Sequence, residues 1–193
     1  KGRVHSTHHR HHDDRVMRIK PRRAAKSTTR AQVRPSASMT VYINGRGARL
    51  QHGWDDASRG LSSVVSSRRG QVTIPAFRGS RGDLTRVAQC VRGHFSPFRI
   101  NIVTERPAGN DWAMLMVGGH PNLLGYPEGI GGVAPYSGEP FRQAVGYAFS
   151  EGVRSVDQLC ETVAHEIGHI VGLDHSRECT DLMSYEHCGP KRF

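Results

Sequence analysis

The chain has 193 residues, 36% of them hydrophobic, which suits one core of ordinary size. Its formal charge of +10 is uneven: residues 1–40 hold eleven Lys/Arg against two acids, and the remaining 153 residues hold sixteen against fifteen. The basic pI therefore describes an arm on a nearly neutral body, and no stretch approaches the roughly 20 apolar residues of a membrane-spanning helix.

Residues 1–38 have five histidines among the first twelve positions, few apolar residues and no helical or alternating period. Such a segment cannot bury enough surface to fold alone, so it is expected to be a flexible arm or a propeptide remnant. Its arginines suit contact with a polyanion. A folded domain is expected over 39–193. It opens with TVYIN (40–44), whose alternation predicts a half-buried strand. Residues 45–70, rich in Gly, Arg and Ser, read as irregular with one helical turn. QVTIPAF (71–77) reads as a short edge strand because of Pro75. Asp83 is expected to cap a helix whose apolar positions Leu84, Val87, Ala88, Val91 and Phe95 follow the i, i+3, i+4, i+7 rule. FRINIVT (98–104) and WAMLMVG (112–118) are the strongest strands, the second apolar enough to be central. Residues 118–140 carry many Gly and Pro, which predicts a long loop with one short strand near 132–136. His120 in that loop has no accompanying Asp/His cluster to make a second metal site. AVGYAF (144–149) reads as a last strand, and Ser155 with Gln158 as the capping box of a final helix.

That helix carries His165, Glu166, His169, Gly172 and His175. Residues i and i+4 share a helix face, so His165 and His169 can direct two imidazoles at one metal ion. Glu166 lies one position off that face, where it can act as a general base without being a ligand. A glycine at 172 can take positive φ and end the helix, letting the chain return His175 as third ligand. Three neutral imidazoles leave the fourth zinc position open, as catalytic sites require, and zinc lowers the pKa of a bound water to roughly 7. Five fixed residues match by chance in about two of ten thousand such sequences.

The stretch HEIGHIVGLDHS, followed by Asp181-Leu182-Met183-Ser184-Tyr185, resembles the metzincin clan of zinc peptidases. Met183 lies eight positions after His175, a spacing similar to that of matrixins. Tyr185 stands where matrixins usually have proline, and Met-x-Tyr is similar to astacins and serralysins. The tail Cys179, Cys188-Gly189, Arg192-Phe193 resembles a group of small bacterial metzincin-like proteins. The resemblance implies an α/β fold, a twisted mixed sheet of about five strands with a backing helix and an active-site helix, and the cleft at the sheet's edge. It implies one catalytic zinc ion, with no reading for calcium, and a peptide substrate. Met183 would support the metal from below, Tyr185 would hydrogen-bond the oxyanion, and Val133, Ala134, Pro135 and Tyr136 would be the edge strand that pairs with substrate. The wall of the pocket for the residue after the scissile bond would come from 184–193. Asp13 or Asp14 could cap the zinc in a latent form, since the arm has no cysteine.

Four cysteines without a metal-type CxxC suggest two disulfides and an oxidising compartment, against four free thiols or thiolate ligands. Three pairings are open. Cys179 with Cys188 would close a short loop around the methionine turn, and Cys90 with Cys160 would join helices expected to be neighbours. A chain starting at Lys1 without a signal-peptide pattern suggests processing, and twenty-three arginines against four lysines suit a bacterial genome. The expected protein is a secreted or periplasmic monomer that hydrolyses peptide bonds as a zinc endopeptidase. The alternative is a polyanion- or surface-binding protein with a structural or latent zinc site.

Overall fold

The computed structural model describes residues 38–153, 155–186 and 188–193, with the backbone of Met17–Arg18. The remainder of the arm, with Asp13 and Asp14, lies outside the described residues. In chain order the strands are β1 (Met17–Arg18), β2 (Met39–Asn44), β3 (Ala48–His52), β4 (Leu61–Ser62) and β5 (Gln71–Ile74). Helix α1 (Arg81–Phe95) follows, then β6 (Ile100–Val103), β7 (Ala113–Val117), a 3-10 turn at Pro121–Leu124, β8 (Gly132–Val133), β9 (Pro135–Tyr136), β10 (Val145–Ala148) and α2 (Val156–Ile170).

The main sheet has the order β6-β2-β7-β10-β8. Its first four strands are mutually parallel, and β8 runs antiparallel to β10 at the edge, with Tyr147 opposite Val133. This is the expected mixed five-stranded α/β sheet, with β7 at its centre.

Side-chain alternation places apolar residues of β2 and β7 on both faces of the sheet. Val41, Ile43, Leu115 and Val117 face α1 and α2, where Val87, Val91, Val163 and Ile167 complete one core. Tyr42, Met114 and Met116 point the other way, onto Leu50, Ile74, Val64, Val65 and Trp112. Strand β2 is therefore covered on both faces, not half-buried as its alternation suggested. The cover comes from residues 45–70, which form more than an irregular segment: β3 pairs with β4 and β5 in a separate three-stranded sheet. Each of these short strands sends little inward, chiefly Leu50 and Ile74, so no sequence period announces them. Strand β5 stops at Ile74, before Pro75, and is an edge of that small sheet.

The cap of α1 also differs from expectation. Ser80 is the N-cap, and Asp83, the third residue of the first turn, is its partner in a reciprocal capping box: Asp83 N–H donates to Ser80 Oγ at 3.1 Å, and Ser80 N–H donates to Asp83 Oδ2 at 2.9 Å. Those bonds and Arg86 hold the Asp83 carboxyl near a pKa of about 2. Helix α2 begins at Ser155, whose Oγ accepts from Gln158 N–H at 3.1 Å. The two helices are joined by Cys90–Cys160, and a second disulfide links Cys179 to Cys188. No helix among the described residues is long and apolar enough to cross a membrane.

Candidate metal centre

Over its last turns α2 is buried on every side, and the cleft-facing stripe carries His165, Glu166 and His169, at 7%, 2% and 1% exposure. Gly172 at φ +97° ends the helix, and a side chain there would meet the Glu139 backbone at 2.9 Å. Beyond it the chain turns back and delivers His175.

The three Nε2 atoms converge: His169 Nε2 lies 3.1 Å from His165 Nε2 and 3.0 Å from His175 Nε2. Imidazoles ligating zinc tetrahedrally at 2.0–2.1 Å stand about 3.3 Å apart, so the donor set fits that ion. The opposite nitrogens reinforce the fit. His165 Nδ1 lies 2.9 Å from the Leu182 carbonyl and His169 Nδ1 2.9 Å from the Leu173 carbonyl. A ring N–H can donate to each acceptor, which puts the proton on Nδ1 and leaves the Nε2 lone pair for a metal. Burial, the dominant cause, lowers the pKa of His165 to about 4 and of His169 to about 3, and lowers that of His175 against the opposing charge of Asp174. Both helical imidazoles are thus neutral at ordinary pH, the form that binds metal.

Met183, 2% exposed, lies beneath the helix: a Cβ on Gly168 would stand 2.3 Å from Met183 Sδ. The turn is fixed by Asp181, whose Oδ1 accepts from Met183 N–H at 2.8 Å. Tyr185, 40% exposed, brings its hydroxyl to 3.2 Å from His175 Nδ1 and into close contact with His175 Nε2. Above the site runs β8, the edge of the main sheet, and the expected strand 133–136 is split at Ala134 into β8 and β9, of which β9 pairs with β1 and not with the main sheet. The Tyr136 ring meets the His169 ring edge-on at 6.1 Å. Gly132 lets this edge approach the carboxylate, since a side chain there would lie 2.6 Å from Glu166 Oε1.

Sequence reasoning missed Gly168, Gly132 and Lys191. The glycines could have been suspected only as spacers. Lys191 carried a signal: of the sixteen Lys/Arg residues after position 40 it alone is lysine. Beside His165 and Glu166 opens a pocket of about 160 Å³, walled by Thr162 of α2, Gly132 of the edge strand, and Ser184 and Lys191 of the tail.

Residues 110–192, less than half of the chain, match the matrixin family model. No curated protein matches. Among solved structures, metalloproteinase-II from Bacteroides fragilis is similar at 13% identity and a TM-score of 0.42, over 81% of this chain and 49% of that one. High choriolytic enzyme 1, a hatching enzyme zinc-protease from Oryzias latipes (medaka fish), is similar at 14% identity and a TM-score of 0.34, over 76% and 50%. Myroilysin aligns at 13% identity and 0.35, over 71% and 48%. The chain spans about half the length of the solved structures it matches.

Proposed function

We propose that this metzincin-like chain is a zinc-dependent endopeptidase. The observation that carries the reading is the convergence of three neutral imidazoles with a buried carboxylate, Glu166, on the next helix position. His165, His169 and His175 would hold the ion, which when bound supplies Lewis acidity at a scissile carbonyl and acidifies a water molecule. Glu166 accepts the proton of the attacking water and passes it to the leaving amine. Tyr185 hydrogen-bonds the oxyanion from the open side of His175, and Met183 steadies the helix beneath the ligands. Residues 133–136 align an extended peptide by main-chain hydrogen bonds. The two disulfides suit work in an oxidising compartment outside the cytosol.

The test is hydrolysis of quenched fluorescent peptides by the zinc-loaded chain. Glu166→Ala should keep its zinc and lose at least about a hundredfold in rate; undiminished hydrolysis would remove Glu166 from the mechanism. Tyr185→Phe should lower kcat by about tenfold with zinc content unchanged. An equal kcat would exclude the oxyanion role.

A second observation bears on regulation. Strand β1 pairs in parallel with β9, Met17 opposite Pro135 and Arg18 opposite Tyr136. That pairing uses the edge which a substrate needs, and it supports reading the arm as a segment that competes with substrate for the cleft. It favours latency over polyanion binding as the arm's task.

A further inference from the structure

We infer that Lys191 makes the pocket beside Glu166, which on the peptidase reading receives the side chain that follows the scissile bond, select aspartate or glutamate. The inference rests on the peptidase reading and deepens it. The pocket shares His165 and Glu166 with the reacting centre. In the proposed reaction Glu166 must reach the leaving nitrogen, which belongs to the residue after the cleaved bond. The side chain of that residue is therefore the one delivered to a pocket on the Glu166 side. A volume of about 160 Å³ equals that of roughly five liquid waters, room for a small or medium side chain.

Lys191 forms part of the wall. It is only 7% exposed, and its ammonium donates to the Ser184 carbonyl. Its charge is felt at the His165 ring, where it lowers the pKa alongside burial. A carboxylate entering the pocket gains a charge-assisted hydrogen bond in a poorly solvated place. An apolar side chain would offer the buried cation no acceptor, and a basic one would be repelled. The other charged groups in the lining do not reverse this. Glu166 is occupied by the reaction, and Glu161 is partly exposed on α2 with its charge acting on His94.

The tail is held so that Lys191 keeps its place. Arg192 N–H donates to the Thr180 carbonyl at 2.9 Å, and Leu182 N–H donates to the Arg192 carbonyl at 2.7 Å. Cys179–Cys188 closes the same segment, and the Phe193 ring packs 4.8 Å from Phe95 and 5.7 Å from Phe98. In a chain that otherwise uses arginine after position 40, the pocket wall carries a compact ammonium on a flexible stem.

The experiment uses the full zinc-loaded chain and quenched peptides differing only in the residue after the scissile bond: Asp, Glu, Leu or Lys. The acidic peptides should exceed the Leu peptide by about tenfold or more in kcat/KM. In Lys191→Met that ratio should collapse toward one, Lys191→Arg should keep part of it, and Lys191→Glu should shift preference to the Lys peptide. A purely structural lysine would change all four rates together, so an acidic preference that survives in Lys191→Met, or a wild-type preference for Leu, overturns the inference. Zinc content is measured on each variant to show that the centre is assembled. If no peptide is cleaved by the full chain or by the chain lacking residues 1–38, the peptidase reading itself fails, and calorimetric binding of Asp- and Leu-starting peptide amides decides the pocket separately. Tighter binding of the Asp peptide, lost in Lys191→Met, supports selection by Lys191, and equal affinities refute it.

Discussion

A Cβ added at Gly168 would stand 2.3 Å from the Sδ of the buried Met183. Gly168→Ala should therefore push the methionine turn away from the helix, destabilising the chain by about 1–3 kcal/mol. Because the Leu182 carbonyl that orients His165 belongs to that turn, zinc affinity should fall as well. Paired measurements of melting temperature and zinc affinity check this, and an unchanged pair would show that the turn yields without moving its carbonyl. At this scale the convergence of the imidazoles was legible because helical geometry fixes the spacing of His165 and His169. Their orienting acceptors, the carbonyls of Leu182 and Leu173, were not: a backbone oxygen leaves no mark in side-chain identity.

Asp55 ties the cover sheet to the body of the fold. It is 1% exposed, its Oδ1 accepts from Val145 N–H at 2.9 Å, and its Oδ2 accepts from Ser63 N–H at 3.2 Å. Burial raises its pKa, against the lowering effect of those bonds. Asp55→Ala would leave two buried N–H donors without their acceptor, at about 2–3 kcal/mol, and urea unfolding should show it. A loss within about 0.5 kcal/mol would mean that β10 does not depend on this tie. Nothing around position 55 announced the role, since an Asp-Asp pair in a Gly- and Ser-rich stretch reads as a surface turn. Strand β7 was legible for the opposite reason: Ala113–Val117 is apolar on both faces, as a central parallel strand must be. The start of α1 was misread by three residues because Ser80 and Asp83 are both capping residues, and only their reciprocal bonds assign the parts.

For the molecule as a whole, deleting residues 1–38 should raise kcat/KM on peptide substrates, and adding the 1–38 peptide back should lower it again. Equal rates in the full and shortened chains would dismiss the arm as a competitor at the edge strand. The first helix, the central strand and the helix of the histidines followed from apolar period and motif, and the edge strand from the family resemblance. Residues 184–193 were expected as a pocket wall from the resemblance and their place after Met183, and Ser184, Tyr185 and Lys191 do line the pocket beside Glu166. The β1–β9 pairing was not legible, because a two-residue parallel strand carries no pattern.

The Cys90–Cys160 bond spans 70 residues, and every strand of the main sheet except β2 lies between its ends, together with the Gly- and Pro-rich loop 118–140. If the chain is the peptidase proposed above, the commonest protein each molecule meets in a concentrated stock is another copy, and exposed loops are where nicks concentrate. A nick in that loop would leave both pieces fastened to each other through the two helices. Such a molecule would age without falling apart, and its accumulated cuts would come to light only when the sample is reduced.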